Sequence, residues 1–282
     1  MAIKITADRI IDLSKEELDE LNISTISCYI NLVGVSYSDL EDIFPEDVFS
    51  HFEKRRELAK TAAKSPEIYS EFFEQFTSKG DTVIHFAASS GTSAICDNAK
   101  IAAEKLKGVF VVDTLTLSNG IALLAKYAIS LIRQGETDAQ KVYELCLAKR
   151  SKVKCSFIIE TLDYLYKGGR CSGMQLFGAN LFRIRPVVAM NESGKMQIRE
   201  KYRGKYMKAI ARYIEHTFKI HPNPDLAQLY LLHFCKDKAI EEFLLAEVAK
   251  YHKFENIQVN SGSCNCAIHS GRNTVAMFYF EK

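Results

Sequence analysis

Two consecutive strand–helix units between residues 81 and 134 constrain the fold more than any other part of the sequence. Each unit begins with a short apolar run and continues into apolar residues at helical spacing. In order, the segments are a strand at 82–88, a Ser/Gly/Thr loop at 89–93, a helix at 94–106, a strand at 108–113 and a helix with apolar positions from 121 to 132. This alternation predicts parallel strands joined by crossover helices.

The length of the chain predicts two domains. With 282 residues, of which 47% are hydrophobic, the chain exceeds the usual size of a single core. After residue 161 the pattern changes to a Gly-Gly turn, a strand at 184–188, amphipathic helices near 204–219 and 237–251, and an apolar strand at 274–280. We therefore expect an α/β protein with a parallel-sheet, three-layer α/β/α domain at residues 1–155, a mixed α/β domain at residues 156–282, and a ligand between them.

Several helix starts carry recognisable cap residues. Ser14 with Glu17, and Thr137 with Gln140, fit the capping-box pattern. Ser65 precedes Pro66, a combination typical of an N-cap and a first-turn proline. We therefore predict helices that begin after Ser14, Ser65 and Thr137.

Composition and charge exclude several classes of protein. The net charge is +2, from 37 Lys and Arg against 35 Asp and Glu, which argues against a nucleic-acid partner. The chain starts with a strand-like segment instead of a signal peptide. The uncharged stretch 21–38 is too polar for a membrane span, so we interpret it as buried strand and turn. The eight cysteines show no CxxC spacing, so we expect reduced thiols and a cytoplasmic protein.

The loop at 89–93 is the strongest candidate for a binding site. It lies between a predicted parallel strand and the start of a helix, where free backbone N–H groups and hydroxyls favour an anion such as a carboxylate. It has neither the GxxxxGK[ST] spacing of a nucleotide-binding loop nor the GxGxxG spacing of a dinucleotide site. The alternative interpretation is a plain helix cap.

Other polar residues are weaker candidates when judged from the sequence alone. Thr61 lies on a predicted polar loop, where a turn residue is the alternative. His269 lies on a predicted loop before the last strand, where it could bind a ligand or stabilise a turn. Arg170 and Arg203 each stand beside glycine, a form suited to phosphate or carboxylate contact, although solvated surface arginine is the default.

The sequence contains no recognisable catalytic centre. No motif places a nucleophile beside a general base, and no carboxylate cluster suggests a metal-assisted hydrolase. Cys264 and Cys266 stand near His269, but on an extended segment they would point to opposite faces, which disfavours zinc. We therefore predict no catalytic residue, no metal and no cofactor.

A series of short motifs along nearly the whole chain resembles the DegV family. The most specific match, 161–170 (TLDYLYKGGR), is close to the family's TLEYLxKGGR. The other matching segments are Asp8 with 12–14, 42–47 (DIFPED), 61–66 (TAAKSP), 89–94 (SSGTSA), 113–120 (DTLTLSNG), 184–186, 203–205 and 268–271.

The resemblance implies a function as well as a fold. Proteins of this family have two α/β domains with a long-chain fatty acid between them, and in many bacteria they present its carboxyl group to a separate fatty acid kinase with a dihydroxyacetone-kinase-like domain. By this resemblance Arg170 and Arg203 serve phosphotransfer or kinase docking. Four residues are assigned to the ligand carboxylate and its surroundings: Thr61, Ser93, His269 and Ser270.

The sequence also departs from the family pattern at positions near these motifs. The substituted positions are Ala7, Arg9, Ala62, Ala63, Lys64, Ala94, Arg272 and Asn273. They leave the four head-group residues in place but alter their surroundings.

Two other functions compete with fatty-acid binding. A small-molecule kinase or phosphotransferase-type subunit would have a similar first domain, but it needs a nucleotide or covalent site. An interaction protein would use a run of basic residues to dock an acidic partner or a membrane surface, which is also compatible with lipid delivery. That run consists of Arg183, Arg185, Arg199, Lys201, Arg203, Lys205 and Lys208.

Overall fold

Fourteen strands and ten helices are present in the part of the chain described by the computed structural model, which covers residues 2–161, 163–172, 184–234 and 237–282. The strands are β1 (Ile3–Asp8), β2 (Ile23–Ile26), β3 (Tyr29–Leu32), β4 (Val35–Ser38), β5 (Lys60–Ala62), β6 (Thr82–Ala87), β7 (Val109–Asp113), β8 (Val153–Ile158), β9 (Cys171–Ser172), β10 (Ile184–Met190), β11 (Met196–Arg203), β12 (Pro224–His233), β13 (Asn256–Asn260) and β14 (Val275–Glu281). The helices are α1 (Lys15–Glu20), α2 (Pro45–Arg55), α3 (Pro66–Thr77), α4 (Ile95–Ala103), α5 (Asn119–Arg133), α6 (Ala139–Lys149), α7 (Asp163–Gly168), α8 (Tyr206–Ile220), α9 (Lys238–Ala249) and α10 (Cys264–Ser270).

The first sheet is parallel, as the strand–helix units predict. Its order is β2-β1-β6-β7, and every neighbouring pair runs in the same direction. The central strand β6 is buried from Val83 to Ala87 without alternation, so both faces of the sheet are covered. The pairs α3 with α4 and α5 with α6 supply these covers, because each pair packs together and against the sheet. The predicted parallel α/β architecture is confirmed.

The second sheet is mixed, and its two faces belong to two cores. Its order is β13-β12-β14-β8-β10-β11-β9. On β8, Phe157 faces the core shared with the first sheet, whereas the next residue, Ile158, faces a second core beneath α8. Helix α5 contacts β8 and β14 as well as β1 and β6, so it lies between the two sheets. The cavity described below opens on this shared side.

A third, three-stranded antiparallel sheet was not predicted. Its order is β4-β3-β5, and both its strand β5 and the helix α2 contact α10. The sequence 21–38, interpreted as buried strand and turn, accounts for β2, β3 and β4. Strand β4 is less buried than expected, since Val35 is 50% exposed.

Helix starts agree with the sequence patterns except at α6. Ser14 and Glu17 form the predicted capping box of α1, and Ser65 precedes Pro66 at the start of α3. The prediction for Thr137 with Gln140 is wrong, because Asp138 is the N-cap and its carboxylate accepts from the N–H groups of Gln140 and Lys141. The Asp138 carboxylate, one residue after Thr137, accepts from two backbone N–H groups that have no partner inside the helix. The Thr137 hydroxyl accepts from neither of them.

Two further expectations concern the domain boundary and the cysteines. The proposed boundary between residues 155 and 156 falls inside β8, which begins at Val153 and belongs to the second sheet; the division stays a prediction. The six cysteines whose side chains are described are unpaired, whereas Cys235 lies outside the described residues. None of the described helices is both long and apolar enough to cross a membrane.

Candidate ligand-binding site

A cavity lies between the first and second sheets and is lined by residues from both. It encloses about 730 Å³, counting the part that opens to solvent. One wall comes from the Arg9–Ile11 turn and the 88–95 and 117–118 segments, and the opposite wall comes from β8, β12, β14 and α10.

Most of the cavity wall is apolar. Phe157, Ala276 and Leu232 occupy paired positions on the adjacent strands β8, β14 and β12 and so form a row on one face of the sheet. Because Ala276 is the smallest of the three, the row leaves a shallow groove between two larger side chains. The remaining apolar lining residues are Ile10, Ala88, Ile95, Leu117, Leu165, Met196 and Phe278. Such a surface suits an alkyl chain.

The structure brings five of the six predicted site residues to this cavity. Thr61, Ser93, His269 and Ser270 all line it, together with Arg170. Arg203, at the end of β11, is exposed and is not among the described residues that line the cavity. These positions are consistent with the predicted head-group set, although their contact with a ligand stays a prediction.

Thr61 lies on a strand, so its predicted position on a polar loop is wrong. It belongs to β5, where it pairs with Ile30 of β3. This pairing fixes the direction of the side chain, and the Thr61 hydroxyl lies 3.2 Å from Nε2 of His269. A short strand thus connects the third sheet to the cavity.

His269 lies on a helix, so its predicted position on a loop is also wrong. It is the penultimate residue of α10, and α10 also contains Cys264 and Cys266, which were expected on an extended segment. Among the residues the structure describes, no group of three or more His, Cys, Asp or Glu side chains could hold a metal ion.

The His269 imidazole is buried and uncharged at neutral pH. Burial, together with the positive charge of Arg170, lowers its pKa to about 4. Nε2 contacts Thr61, whereas Nδ1 has no hydrogen-bond partner among the described residues. Gly168 packs so closely on the ring that an added Cβ would lie 2.5 Å from Nδ1. A neutral imidazole can donate one hydrogen bond and accept another, which suits recognition of a polar head group.

The loop that carries Ser93 is held by its own side chains. Ser90 donates from its hydroxyl to Asp113 at 2.5 Å, and Ser89 donates to the Gly194 carbonyl at 2.7 Å. The Ser93 hydroxyl accepts from the Ile95 N–H at 3.3 Å, so it has a weak cap-like contact and keeps its own hydrogen for another acceptor. Both interpretations of Ser93, helix cap and ligand donor, are therefore compatible with its geometry.

Ser270 and Arg170 both make local hydrogen bonds to backbone carbonyls. The Ser270 hydroxyl donates to the Cys266 carbonyl at 2.7 Å. It must therefore rotate before it can donate to a ligand. Arg170 is exposed and donates to the Gly168 carbonyl at 2.7 Å. Its guanidinium thus lies at the edge of the cavity, close enough to His269 to lower the pKa of the imidazole.

Sequence reasoning missed two buried carboxylates, Asp12 and Asp39, that hold α10. Asp12 accepts from the Ser263 N–H at 2.8 Å, and Asp39 accepts from the N–H groups of Cys264 and Asn265 at 2.8 and 2.9 Å. Asp12 belongs to a family motif, but nothing in the local sequence indicates its partners. Asp39 carries no signal that a single sequence could reveal.

Several departures from the family pattern have a structural explanation. Ala94 has φ −73° and ψ −1°, a conformation open to any residue, so it does not need glycine. Arg272 pairs with Glu46 at 2.8 Å and Glu53 at 3.0 Å, which connects the end of α10 to α2. Asn273 donates to the Glu160 carboxylate.

Three further departures, Arg9, Lys64 and Ala7, also have defined surroundings. Arg9 donates to the Leu13 carbonyl at 3.0 Å. The Lys64 ammonium lies 3.4 Å from the centre of the Tyr29 ring, and the Lys64 carbonyl accepts from Asn98. Ala7 is fully buried in β1, so a small side chain fits there.

Comparison with known proteins identifies the family. The model described as "uncharacterised protein, DegV family" matches residues 2–282. A DegV domain-containing protein of Clostridium perfringens is 27% identical over 285 residues, with 99% of both chains covered. The structure of a DegV family protein from Thermus thermophilus, described for its fatty acid binding, has a TM-score of 0.90 at 25% identity and full coverage of both chains. A DegV lipid binding protein from Thermotoga maritima has a TM-score of 0.84 at 25% identity, covering 100% of this chain and 99% of that one. The chain belongs to the DegV family.

Proposed function

We propose that this protein binds one long-chain fatty acid in the cavity between its sheets and has no catalytic centre of its own. The observation that carries the proposal is the composition of a single cavity, in which hydroxyl groups and a neutral imidazole meet a wall of apolar side chains. The relatives described as fatty-acid-binding and lipid-binding proteins support the same ligand class.

Burial of the alkyl tail supplies the driving force. Each methylene removed from water contributes about 0.8 kcal/mol, so a 16-carbon chain gains enough to offset its ordering. Phe157, Leu232 and Phe278 would contact the tail along the inner face of the second sheet.

The carboxylate requires donors because a buried, unpaired anion is costly. Ser93 has a free hydroxyl hydrogen, and Thr61 with His269 forms a pair that can donate through either group. Ser270 lies beside His269 and would complete the set. The Arg170 guanidinium at the cavity edge adds positive charge on the same side.

We further propose that the protein presents this carboxyl group to a separate kinase with a dihydroxyacetone-kinase-like domain, which forms an acyl phosphate. Arg203 and its basic neighbours Lys201 and Lys205 would dock the kinase or, transiently, a membrane surface. Arg183, which belongs to the same basic run, lies outside the described residues. We place the protein in the cytoplasm, where thiols stay reduced, because the six cysteines whose side chains are described are unpaired.

The ligand can be identified directly. Protein purified from bacterial cells is extracted with organic solvent, and the extract and the intact protein are analysed by mass spectrometry. We expect about one acyl chain per protein, retained through gel filtration because an enclosed tail leaves only when the cavity opens. Absence of any acyl chain, together with no uptake of added palmitate, would refute the proposal. A nucleotide or a covalent adduct instead would favour an enzyme.

A further inference from the structure

The short helix α10 carries His269 and Ser270, and its first turn is attached to side chains from distant parts of the chain. Four consecutive N–H groups, at residues 263–266, donate to side-chain oxygens. The first goes to Asp12, the next two go to Asp39, and the last goes to the Ser263 hydroxyl at 3.3 Å. Because the first N–H groups of a helix have no partner inside it, these side chains determine where α10 begins.

Asp12 connects α10 with the opposite wall of the cavity. Its Oδ2 atom accepts from the Ser118 hydroxyl at 2.5 Å and from the Cys266 thiol at 3.4 Å, and both donors line the cavity. Its backbone carbonyl accepts from the side-chain amides of Asn119 and Asn260. One residue therefore holds the start of α5, the end of β13 and the start of α10 together.

Asp39 makes a similar attachment from the third sheet. It follows β4, and besides the two α10 N–H groups it accepts from the Cys28 thiol at 3.7 Å. Asp12 and Asp39 are both almost completely buried, and neither forms an ion pair with a cation of the described residues. Burial raises the pKa of both carboxyl groups, and that of Asp12 rises to about 6. The titratable groups that face Asp12 are Asp39 and Cys266. Asp39 is stabilised mainly by the N–H groups of Cys264 and Asn265, and Asp12 mainly by the Ser118 hydroxyl and the Ser263 N–H.

We infer that Asp12 and Asp39 are positioning residues, which fix α10 so that His269 stays buried and neutral against Thr61 and Ser270 stays on the cavity wall. The head-group end of the cavity is thereby set by two carboxylates that do not line it. The role in ligand recognition rests on the proposed function. The placement of His269, however, can be measured without any ligand.

A purely structural role for these carboxylates predicts a different result, and Asp8 provides a matched control. Asp8 is also buried; it accepts from the Tyr69 hydroxyl at 2.6 Å and the Ala88 N–H at 2.8 Å, and it lies 3.4 Å from Nε2 of His85. None of these three partners belongs to α10. If only the loss of a buried carboxylate matters, the pKa of His269 should change as much in Asp8→Asn as in Asp39→Asn. If the positioning of α10 matters, the pKa of His269 should change in Asp39→Asn and Asp12→Asn but not in Asp8→Asn.

The first arm of the experiment is an NMR titration of the histidine side chains in ligand-free protein. The His269 signal is assigned by its absence in His269→Gln. We expect the pKa of His269 to rise from about 4 toward the ordinary value of about 6.5 in Asp12→Asn and Asp39→Asn, and to stay unchanged in Asp8→Asn. A folded Asp39→Asn protein with an unchanged His269 would overturn the inference.

A milder variant covers the case in which Asp39→Asn does not fold. Ser263→Ala removes the N-cap hydroxyl of α10 without changing a buried charge. A smaller upward shift of the pKa of His269 in this variant, with a larger one in Asp12→Asn, supports positioning. No shift in either variant refutes it.

The second arm measures palmitate and hexadecanol binding by calorimetry. We expect Asp39→Asn to lose at least tenfold in palmitate affinity and much less in hexadecanol affinity, while Asp8→Asn keeps the wild-type ratio. If the wild type binds neither compound, the proposed function fails but the titration result still decides the positioning role. If the wild type binds palmitate and Asp39→Asn keeps the wild-type ratio, the positioning role in recognition fails.

Discussion

The Thr61 hydroxyl and Nε2 of His269 lie 3.2 Å apart, although 208 residues separate them in the chain. Strand β5 supplies one partner and helix α10 the other, so the contact joins the third sheet to the part of the chain that follows β13. Because both side chains line the cavity, their relative position determines which head group can be recognised. Several of the expected results below depend on this pair.

Replacement of Ser93 by Ala should weaken fatty-acid binding selectively. It removes one donor to a buried carboxylate, so we expect a loss of about 1.5–3 kcal/mol for the acid. A long-chain alcohol of equal length should lose much less, since its tail contacts are unchanged. Calorimetry with both ligands measures the difference. Ser78→Ala, an exposed serine just after α3 that is not among the described residues lining the cavity, is the control. An equal loss for acid and alcohol would mean that Ser93 is a helix cap only.

The buried His269 should make the protein less stable in mild acid. Its pKa is about 4 in the folded state, below the ordinary value of 6.5. The unfolded chain therefore binds more protons between these values, and the free energy of unfolding falls as the pH falls from 6.5 to 4, by about 3 kcal/mol in total.

Urea unfolding of wild type and His269→Gln over this pH range tests the expectation. The variant should lose less stability than the wild type on acidification. Bound palmitate should raise the pKa of His269, because a nearby carboxylate favours the charged imidazole. Identical pH dependence in the two proteins would contradict the lowered pKa.

Gly168→Ala should disturb the head-group end of the cavity. The added methyl group would lie 2.5 Å from Nδ1 of His269 and must displace the ring from Thr61. We expect a stability loss of about 1–3 kcal/mol from overpacking, together with weaker binding of the acid. The double variant Gly168→Ala with His269→Ala is the control. If the stability losses of the two single variants simply add in the double variant, the two groups do not interact.

Arg203→Ala should leave fatty-acid affinity unchanged but slow acyl-phosphate formation by the kinase. Arg203 is exposed and is not among the described residues that line the cavity. Its positive charge would therefore increase the rate of association with the kinase, and high salt should reduce this effect. Lys238→Ala, an exposed cation at the start of α9, should have no effect. Equal loss of ligand affinity and of kinase rate would contradict docking by Arg203.

Arg170→Ala should also leave binding nearly intact and slow the kinase reaction. Because Arg170 lines the cavity, its removal has a second effect: the pKa of His269 rises when the neighbouring positive charge is lost. NMR titration and calorimetry separate the two effects. Complete loss of fatty acid would assign Arg170 to the pocket itself.

Local sequence patterns predict the elements whose structure depends on local interactions. The units β6–α4 and β7–α5 follow from apolar periodicity, and the α1 capping box follows from Ser14 and Glu17. The third sheet and α10 could not be predicted in this way. Strand β5 exists because it pairs with β3, and α10 begins where Asp12 and Asp39 accept its N–H groups.

For the same reason the sequence predicted residues that line the cavity but not their geometry. Comparison with family motifs singles out Thr61 and His269, yet the local sequence predicted a loop for both, since neither the strand nor the helix is encoded nearby. Asp39 could not be identified from the sequence because its partners lie 225 and 226 residues further along the chain. No window of sequence contains both ends of such a contact.

The position of α5 between the sheets makes the two halves of the chain thermodynamically inseparable. One side of this helix packs on β1 and β6 and the other on β8 and β14, and Ile121, Leu123 and Leu124 are buried as a result. A fragment that ends before β8 would expose one side of α5 to water. We therefore expect a single cooperative unfolding transition instead of two, and a fragment of residues 1–152 that aggregates when produced alone.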